Sequence, residues 1–179
     1  PHDLTPETSW FDMAQASINA IREVDTNTLI MVGGNDWSSA ERWIEQSDTL
    51  KYLKDPANNL AFEAHVYFDK DASGTYKYSY EEEECYPEKG IDRVKPFVEW
   101  IKQNKFHGFI GEYGIPDNDP RWNETLDLFL GYLQENGING TYWAAGPWWD
   151  SYFMAITPKD GKDRPQMPII EKYTSTLKK

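Results

Sequence analysis

The chain is poor in several things, and each lack closes a class of explanation. It has one cysteine, Cys85, in 179 residues. No disulfide can form within it, and thiol usage does not separate a reducing from an oxidising compartment. No apolar run approaches the ~18 residues that a membrane-crossing helix needs. Positive charge is scarce: 18 Lys and Arg stand against 30 Asp and Glu, a formal net charge of -12. Such a balance repels nucleic acid and anionic membrane surfaces, so neither is an expected partner. Phosphate-cradling loops are missing too. Gly33 Gly34 Asn35 Asp36 fits neither the dinucleotide nor the Walker pattern, and no Gly-Lys-Ser/Thr occurs, which disfavours nucleotide chemistry.

What the chain has in quantity is aromatic side chain: 15% of residues, with eight Trp and eleven Tyr. Large rings fill cores, but they also make flat platforms for the apolar faces of sugar rings. Trp37, Trp143, Trp148 and Trp149 lie beside Gly, Pro, Ser or Asp where strands give way to loops, not inside helical stripes. These four are candidate binding platforms.

Helical and strand periods alternate along the chain. Trp10, Met13, Ser17, Ile18, Ile21 and Val24 recur at helical spacing, with Thr5 as cap and Pro6 in the first turn. A strand over 28–32 ends in Gly33 Gly34 Asn35, and Ser38 with Glu41 offers a capping box for the next helix. Then come a strand over 60–67, a stripe of Val94, Phe97, Val98 and Ile101, and a strand over 106–111. Asp119 and Pro120 start a helix carrying Trp122, Leu126, Phe129, Leu130 and Leu133, stopped by Gly137 before a strand over 140–145. A last helix is expected over about Met167 to Leu177. Strands each followed by a helix predict parallel pairing and an α/β fold, read as one domain.

Four parallel strands left open would expose two edges, at 28–32 and 140–145, and something should complete the sheet. A closed (β/α)8 barrel takes about 250 residues, more than this chain has. A doubly wound open sheet is the other solution, but its usual Gly-rich turn is not here. The chain starts at Pro1 rather than Met, so it is expected to continue something longer.

Glu112 ends the apolar run Phe106 His107 Gly108 Phe109 Ile110 Gly111 and precedes Tyr113 Gly114. The carboxyl end of a buried strand is where a barrel collects its catalytic groups. In Leu60 Ala61 Phe62 Glu63 Ala64 His65 Val66 Tyr67, alternation puts Glu63, His65 and Tyr67 on one face and Phe62, Ala64 and Val66 on the helix-covered one. Either His65 or Tyr67 alone reads as structural; gathered with Glu112 at one end of one sheet, the set reads as functional. The parity of 106–111 turns His107 away from Glu112, so the histidines make no transition-metal cluster and His107 is structural.

The segments His65 Val66 Tyr67, Gly111 Glu112 Tyr113 Gly114 and Tyr142 Trp143 Ala144 Ala145 Gly146 Pro147 Trp148 Trp149 resemble, in order and spacing, the last three active-site motifs of glycoside hydrolase family 5 cellulases. The resemblance covers nearly all of the chain and implies a (β/α)8 TIM barrel of which it supplies roughly strands 5 to 8, the C-terminal half of a single catalytic domain spanning 1–179. It implies Glu112 as nucleophile, His65 and Tyr67 as the pair that orients it, Trp143 lining the cleavage subsite, and Trp37 at a substrate-stacking position. The implied activity is a retaining endo-β-1,4-glucanase needing no cofactor and no metal, usually secreted, although no leader segment is visible. The family's acid/base Glu belongs to an Asn-Glu-Pro motif after the fourth strand, and this chain begins with Pro1 His2 Asp3 just beyond it. A companion N-terminal half of the barrel is therefore an expected partner, alongside β-1,4-glucan, and the chain alone is expected to be inactive.

Three questions stay open: the class of the chain, the connection after the second strand, and the cysteine. The chain could be a non-catalytic glycan-binding module with Glu112 accepting from sugar hydroxyls, or a family 5 mannanase, since residues that sense the C2 hydroxyl are not identifiable. The long connection from Asp69 to Ile91 could extend a glycan cleft through Tyr76, Tyr78 and Tyr80, or be a solvated acidic loop around Glu81, Glu82, Glu83 and Glu84. That run lacks an EF-hand pattern for calcium. Cys85 could be an exposed thiol or pair with a cysteine of the companion segment.

Overall fold

A computed structural model describes residues 1–5, 7–149 and 151–174. Pro6 and the end of the expected last helix, including Leu177, lie outside the described residues. The elements in chain order are α1 (Trp10–Arg22), β1 (Ile30–Gly33), α2 (Trp43–Ser47), β2 (Leu60–His65), α3 (Lys89–Asn104), β3 (His107–Tyr113), α4 (Arg121–Glu135), β4 (Asn139–Tyr142) and α5 (Met167–Tyr173). The sheet has four strands in the order β1-β2-β3-β4. Among the described residues no helix is long and apolar enough to cross a membrane. The chain divides into two compact units, one of Pro1–His65 with Val94–Gly111 and one of Val66–Arg93 with Glu112 onward.

In the first unit β1 and β2 pair in parallel, from Ile30 opposite Leu60 to Gly33 opposite Glu63. Behind them Trp43, Phe62, Phe97 and Trp100 are fully buried and meet edge to face, with centroids 4.6 Å apart for Trp43 and Phe97 and 4.9 Å for Phe62 and Trp100. Each such ring contributes about 1.5–3 kcal/mol by leaving water. Phe62 thus stands on the helix-covered face, as alternation requires. The strand starts later than its apolar pattern, at Ile30 rather than Thr28. Asp25 accepts from Thr28 N while Arg22 donates to Thr28 O, so both backbone groups of that residue are already committed.

Two expected caps are corrected. Ser9, not Thr5, caps α1, its hydroxyl accepting from Asp12 N at 3.3 Å. Ser38 starts no helix with Glu41; its hydroxyl instead donates to Glu63 O at 2.5 Å and accepts from Gly34 N at 2.7 Å.

The second unit packs Phe68, Trp122, Leu126, Phe129 and Met154 into its core. Here strand ends move because side chains take over backbone groups. β2 stops at His65 rather than Tyr67: Arg93 donates to Tyr67 O, and Phe68 N donates to Tyr76 Oη, so side chains take the backbone groups that would extend the ladder. At the other strand the ladder runs on past Gly111 to Tyr113, whose carbonyl accepts from Trp143 N at 2.8 Å. β4 ends at Tyr142 rather than Ala145, because Ala144 O accepts from Ile156 N and Gly146 N donates to Thr157.

The connection after β2 is ordered around two buried acids. Asp69, with no exposed surface, accepts from Gly74 N, Thr75 N, Tyr76 N and the Ser73 hydroxyl. Glu83 accepts from Lys70 N and Tyr78 N. The other acids of the run also have partners: Glu81 with Arg121, Glu82 with Ser79, and Glu84 with Lys70. Glu83 thus departs from the picture of a solvated acidic loop, while Glu81, Glu82 and Glu84 keep to it in being exposed; the cleft alternative is limited, because Tyr76 and Tyr80 are core residues and, of the three tyrosines, Tyr78 alone is exposed. Cys85 is half-buried, 3.9 Å from Thr125 Oγ1, and burial pushes its thiol up.

Candidate functional site

In the second unit Tyr67 Oη donates to Glu112 Oε2 at 2.9 Å. The two meet because their backbones do: Val66 N donates to Glu112 O at 2.9 Å. Burial, reinforced by the Glu112 charge, holds the Tyr67 phenol far above the ordinary tyrosine range. Tyr67 therefore keeps its proton and can serve only as a donor to the carboxylate. Its ring lies against the backbone at Gly74, where a Cβ would sit 3.0 Å from three ring atoms and where φ is +73°. Glycine is required on both counts.

Trp143 and Trp149 form an edge-to-face pair with centroids 5.0 Å apart, and Trp149 continues to Tyr152 at 5.0 Å. Trp143 and Trp149 are half-buried, their exposed parts available as platforms. Trp148 is 89% exposed and stands apart from this pair. Tyr152 was not singled out from the sequence. Burial raises its phenol, Trp143 offers it a hydrogen bond, and the Glu112 charge acts on it. Its only sequence signal was its distance of three residues from Trp149.

In the first unit His65 Nε2 lies 2.7 Å from Glu63 Oε1. The alternation that put both on one face of β2 is thereby realised. Glu63 matters more than the sequence suggested. Its carboxylate occupies the space beside Gly111, where a Cβ would come within 1.8 Å of Oε1, and it lies 3.3 Å from a Cβ built on Gly33. Glycines on the flanking strands thus admit a carboxylate that fixes the imidazole through Nε2. His107, the first residue of β3, is exposed.

Trp37 is presented by an unusual turn. Asp36, Trp37 and Ser38 all have positive φ, 52°, 53° and 59°. Such residues cost of order 1–3 kcal/mol each unless their surroundings fix them. Asp36 N donates to Pro1 O, Arg42 pairs with the Asp36 carboxylate at 2.6 Å, and Ser38 is held as above. His2 stacks on one face of Trp37 at 4.1 Å and 9°. The indole remains 60% exposed.

Comparison with known proteins gives these side chains a context. Residues 1–148 match the family model described as Cellulase (glycosyl hydrolase family 5). The chain is 36% identical over 178 residues to the probable endo-beta-1,4-glucanase B of Aspergillus kawachii, covering 96% of this chain and 51% of that protein. Among solved structures it is similar to the endoglucanase Cel5A of Pseudomonas stutzeri in complex with cellobiose, with TM-score 0.89, 43% identity, and coverage of 98% of this chain and 52% of that one. It is also similar to the endo-beta-1,4-glucanase of Xanthomonas axonopodis pv. citri, with TM-score 0.84, 34% identity, and coverage of 98% and 58%. The chain spans about half the length of the relatives it matches. These neighbours are (β/α)8 barrels, and the four strands and their helices are the corresponding part of such a barrel. The chain belongs to glycosyl hydrolase family 5, the cellulase family.

Proposed function

We propose that residues 1–179 are the C-terminal half of a single catalytic domain that hydrolyses β-1,4-glucan with retention, Glu112 being the nucleophile. The observation that carries this reading is the Tyr67–Glu112 hydrogen bond. A retaining glycosidase needs one carboxylate to attack the anomeric carbon and a second carboxyl to protonate the leaving oxygen, about 5–5.5 Å away. A nucleophile must arrive ionised and in one rotamer. A phenol that stays protonated serves the second need, because it donates to the carboxylate and restricts its orientation. When Glu112 becomes a glycosyl ester, water activated by the acid/base releases the sugar and restores the carboxylate. No cofactor or metal takes part in that cycle.

The acid/base Glu is assigned to a segment outside this chain, the N-terminal half of the barrel. Exposed apolar side chains of α1, of β1 and of the residue before it support such a partner: Met13, Ile21, Leu29 and Met31 are each 39–45% exposed. His65, held by Glu63, takes the orienting role that the family resemblance gives it. Trp143 and Trp149 provide a wall against which a sugar stacks, and the exposed indoles of Trp148 and Trp37 are further platforms for sugar. The relative solved with cellobiose supports a cello-oligosaccharide as ligand. Family membership also supports a secreted protein.

The test is reducing-sugar release from soluble β-glucan by the chain alone and by the chain combined with the first half of a family 5 barrel. Turnover is expected only in the combined sample. Glu112→Gln should lower it by about a thousandfold or more while cellotetraose binding survives, since only the attacking charge is lost. Near-normal turnover in that variant would refute the assignment. Binding without turnover in the combined sample would favour a glycan-binding module, and release from mannan but not glucan a mannanase.

A further inference from the structure

The connection between β2 and α3 has no role in the reaction just described, yet its buried part touches Tyr67 and reaches the end of the strand that carries Glu112. Tyr76 stands between the two strand ends. Its hydroxyl accepts from Phe68 N at 2.9 Å and donates to Gly114 O at 2.6 Å. One buried phenol thus ties the residue after Tyr67 to a residue two beyond Glu112.

Tyr76 is brought there by Asp69, whose buried carboxylate collects the N–H groups of Gly74, Thr75 and Tyr76. The connection turns left-handed at Ala72, Gly74 and Tyr76, with φ of 58°, 73° and 43°. A tyrosine at positive φ persists only where its surroundings fix it, and such outliers concentrate at functional sites. The same turn lays Gly74 under the Tyr67 ring. Edge-to-face contacts with Trp122 at 5.0 Å and Phe153 at 6.4 Å hold the Tyr76 ring itself.

We propose that Tyr76 is a positioning residue: its hydroxyl clasps the two strand ends and so sets the geometry of the Tyr67–Glu112 hydrogen bond, with segment 69–76 as the scaffold that delivers it. The inference rests on the roles proposed above for Glu112 and Tyr67. A second consequence is that the acidic connection belongs to the site's support and does not extend a glycan cleft.

Tyr76→Phe keeps the ring contacts and removes only the clasp. In the combined sample its kcat on soluble β-glucan should fall about tenfold with KM changed less than about twofold. Because the clasp acts through Tyr67, the Tyr67→Phe/Tyr76→Phe pair should lose no more than Tyr67→Phe alone. If Tyr76→Phe does not fold, Gly74→Ala is the second variant, since its Cβ presses on the Tyr67 ring; the same kcat loss, absent on the Tyr67→Phe background, is expected. Multiplicative losses in either double variant, or wild-type kcat in the single ones, overturn the inference and leave the proposed reaction standing. A wild-type combined sample without turnover sinks both.

Discussion

A buried arginine needs a counter-charge, and Arg22 finds its own in Asp55. Nε and Nη2 lie 2.7 and 2.9 Å from the two carboxylate oxygens, with both side chains 2–3% exposed. The Arg22 hydrogen bond, then the N–H groups of Asn59 and Ala57, hold the Asp55 carboxyl well below the usual range. Nearby, Thr28 and the N–H of Asn27 lower Asp25 to about 2. Both folded values lie below the unfolded value of about 4. Their stabilisation is therefore fully present above pH ~4 and is lost as pH falls through the folded values, from pH ~4 toward about 2 for Asp25 and lower still for Asp55. Asp55→Asn should cost roughly 3–5 kcal/mol at neutral pH, because it leaves a buried guanidinium uncompensated. Urea unfolding at pH 7 and pH 2.5 checks this: the gap between wild type and variant should narrow in acid. A gap of constant size would mean that the pair is not the titrating element.

At the level of strands, three neighbouring backbones are matched to one side chain. Glu63 can lie between β1 and β3 only because Gly33 and Gly111 leave room, and with Glu63 in place His65 is held through Nε2. Gly111→Ala would put a methyl group 1.8 Å from Glu63 Oε1. It should destabilise by about 1–3 kcal/mol, the usual cost of overpacking. Glu63→Ala on that background should recover much of the loss, a coupling readable from thermal melts of the four variants. Simple additivity would show that the glycine serves something other than the carboxylate. This arrangement was half legible in the sequence. Period-two alternation put Glu63 and His65 on one face and Phe62 on the other, and helical stripes located α1, α3 and α4. Hydrogen bonds between a loop and a distant side chain have no period to read. Asp69 and Glu83 look like solvated acids in a polar run until their N–H partners are seen. Likewise the left-handed turn at Trp37 contains no glycine to announce it, since neighbouring side chains rather than local propensity hold it there. Strand ends fall a residue or more from where the apolar pattern puts them for the same reason, with Arg22, Arg93 and Tyr76 taking backbone groups that the pattern assigns to the ladder.

For the whole molecule, charge and edges act in opposite directions. β1 is an edge of the four-stranded sheet of the described residues, and Met31 on it, Leu29 just before it, and Met13 and Ile21 on α1 are exposed. An edge strand with apolar neighbours invites pairing with another chain, which a closed barrel prevents. Against this stands a net charge of -12, whose repulsion keeps copies apart at low ionic strength. Screening shortens that repulsion to about 3 Å at 1 M salt, while apolar contact is not weakened by it. The isolated chain should therefore be monomeric in about 20 mM salt and associate progressively toward about 1 M. Sedimentation velocity across that range measures the shift. Met31→Lys, which adds a charge on the strand itself, should suppress the association and also weaken capture of the proposed companion half, which on the reading above closes against the same edge. If Met31→Lys blocked self-association yet bound the companion half as wild type does, the two surfaces would be different, and the apolar edge would not be where the barrel closes.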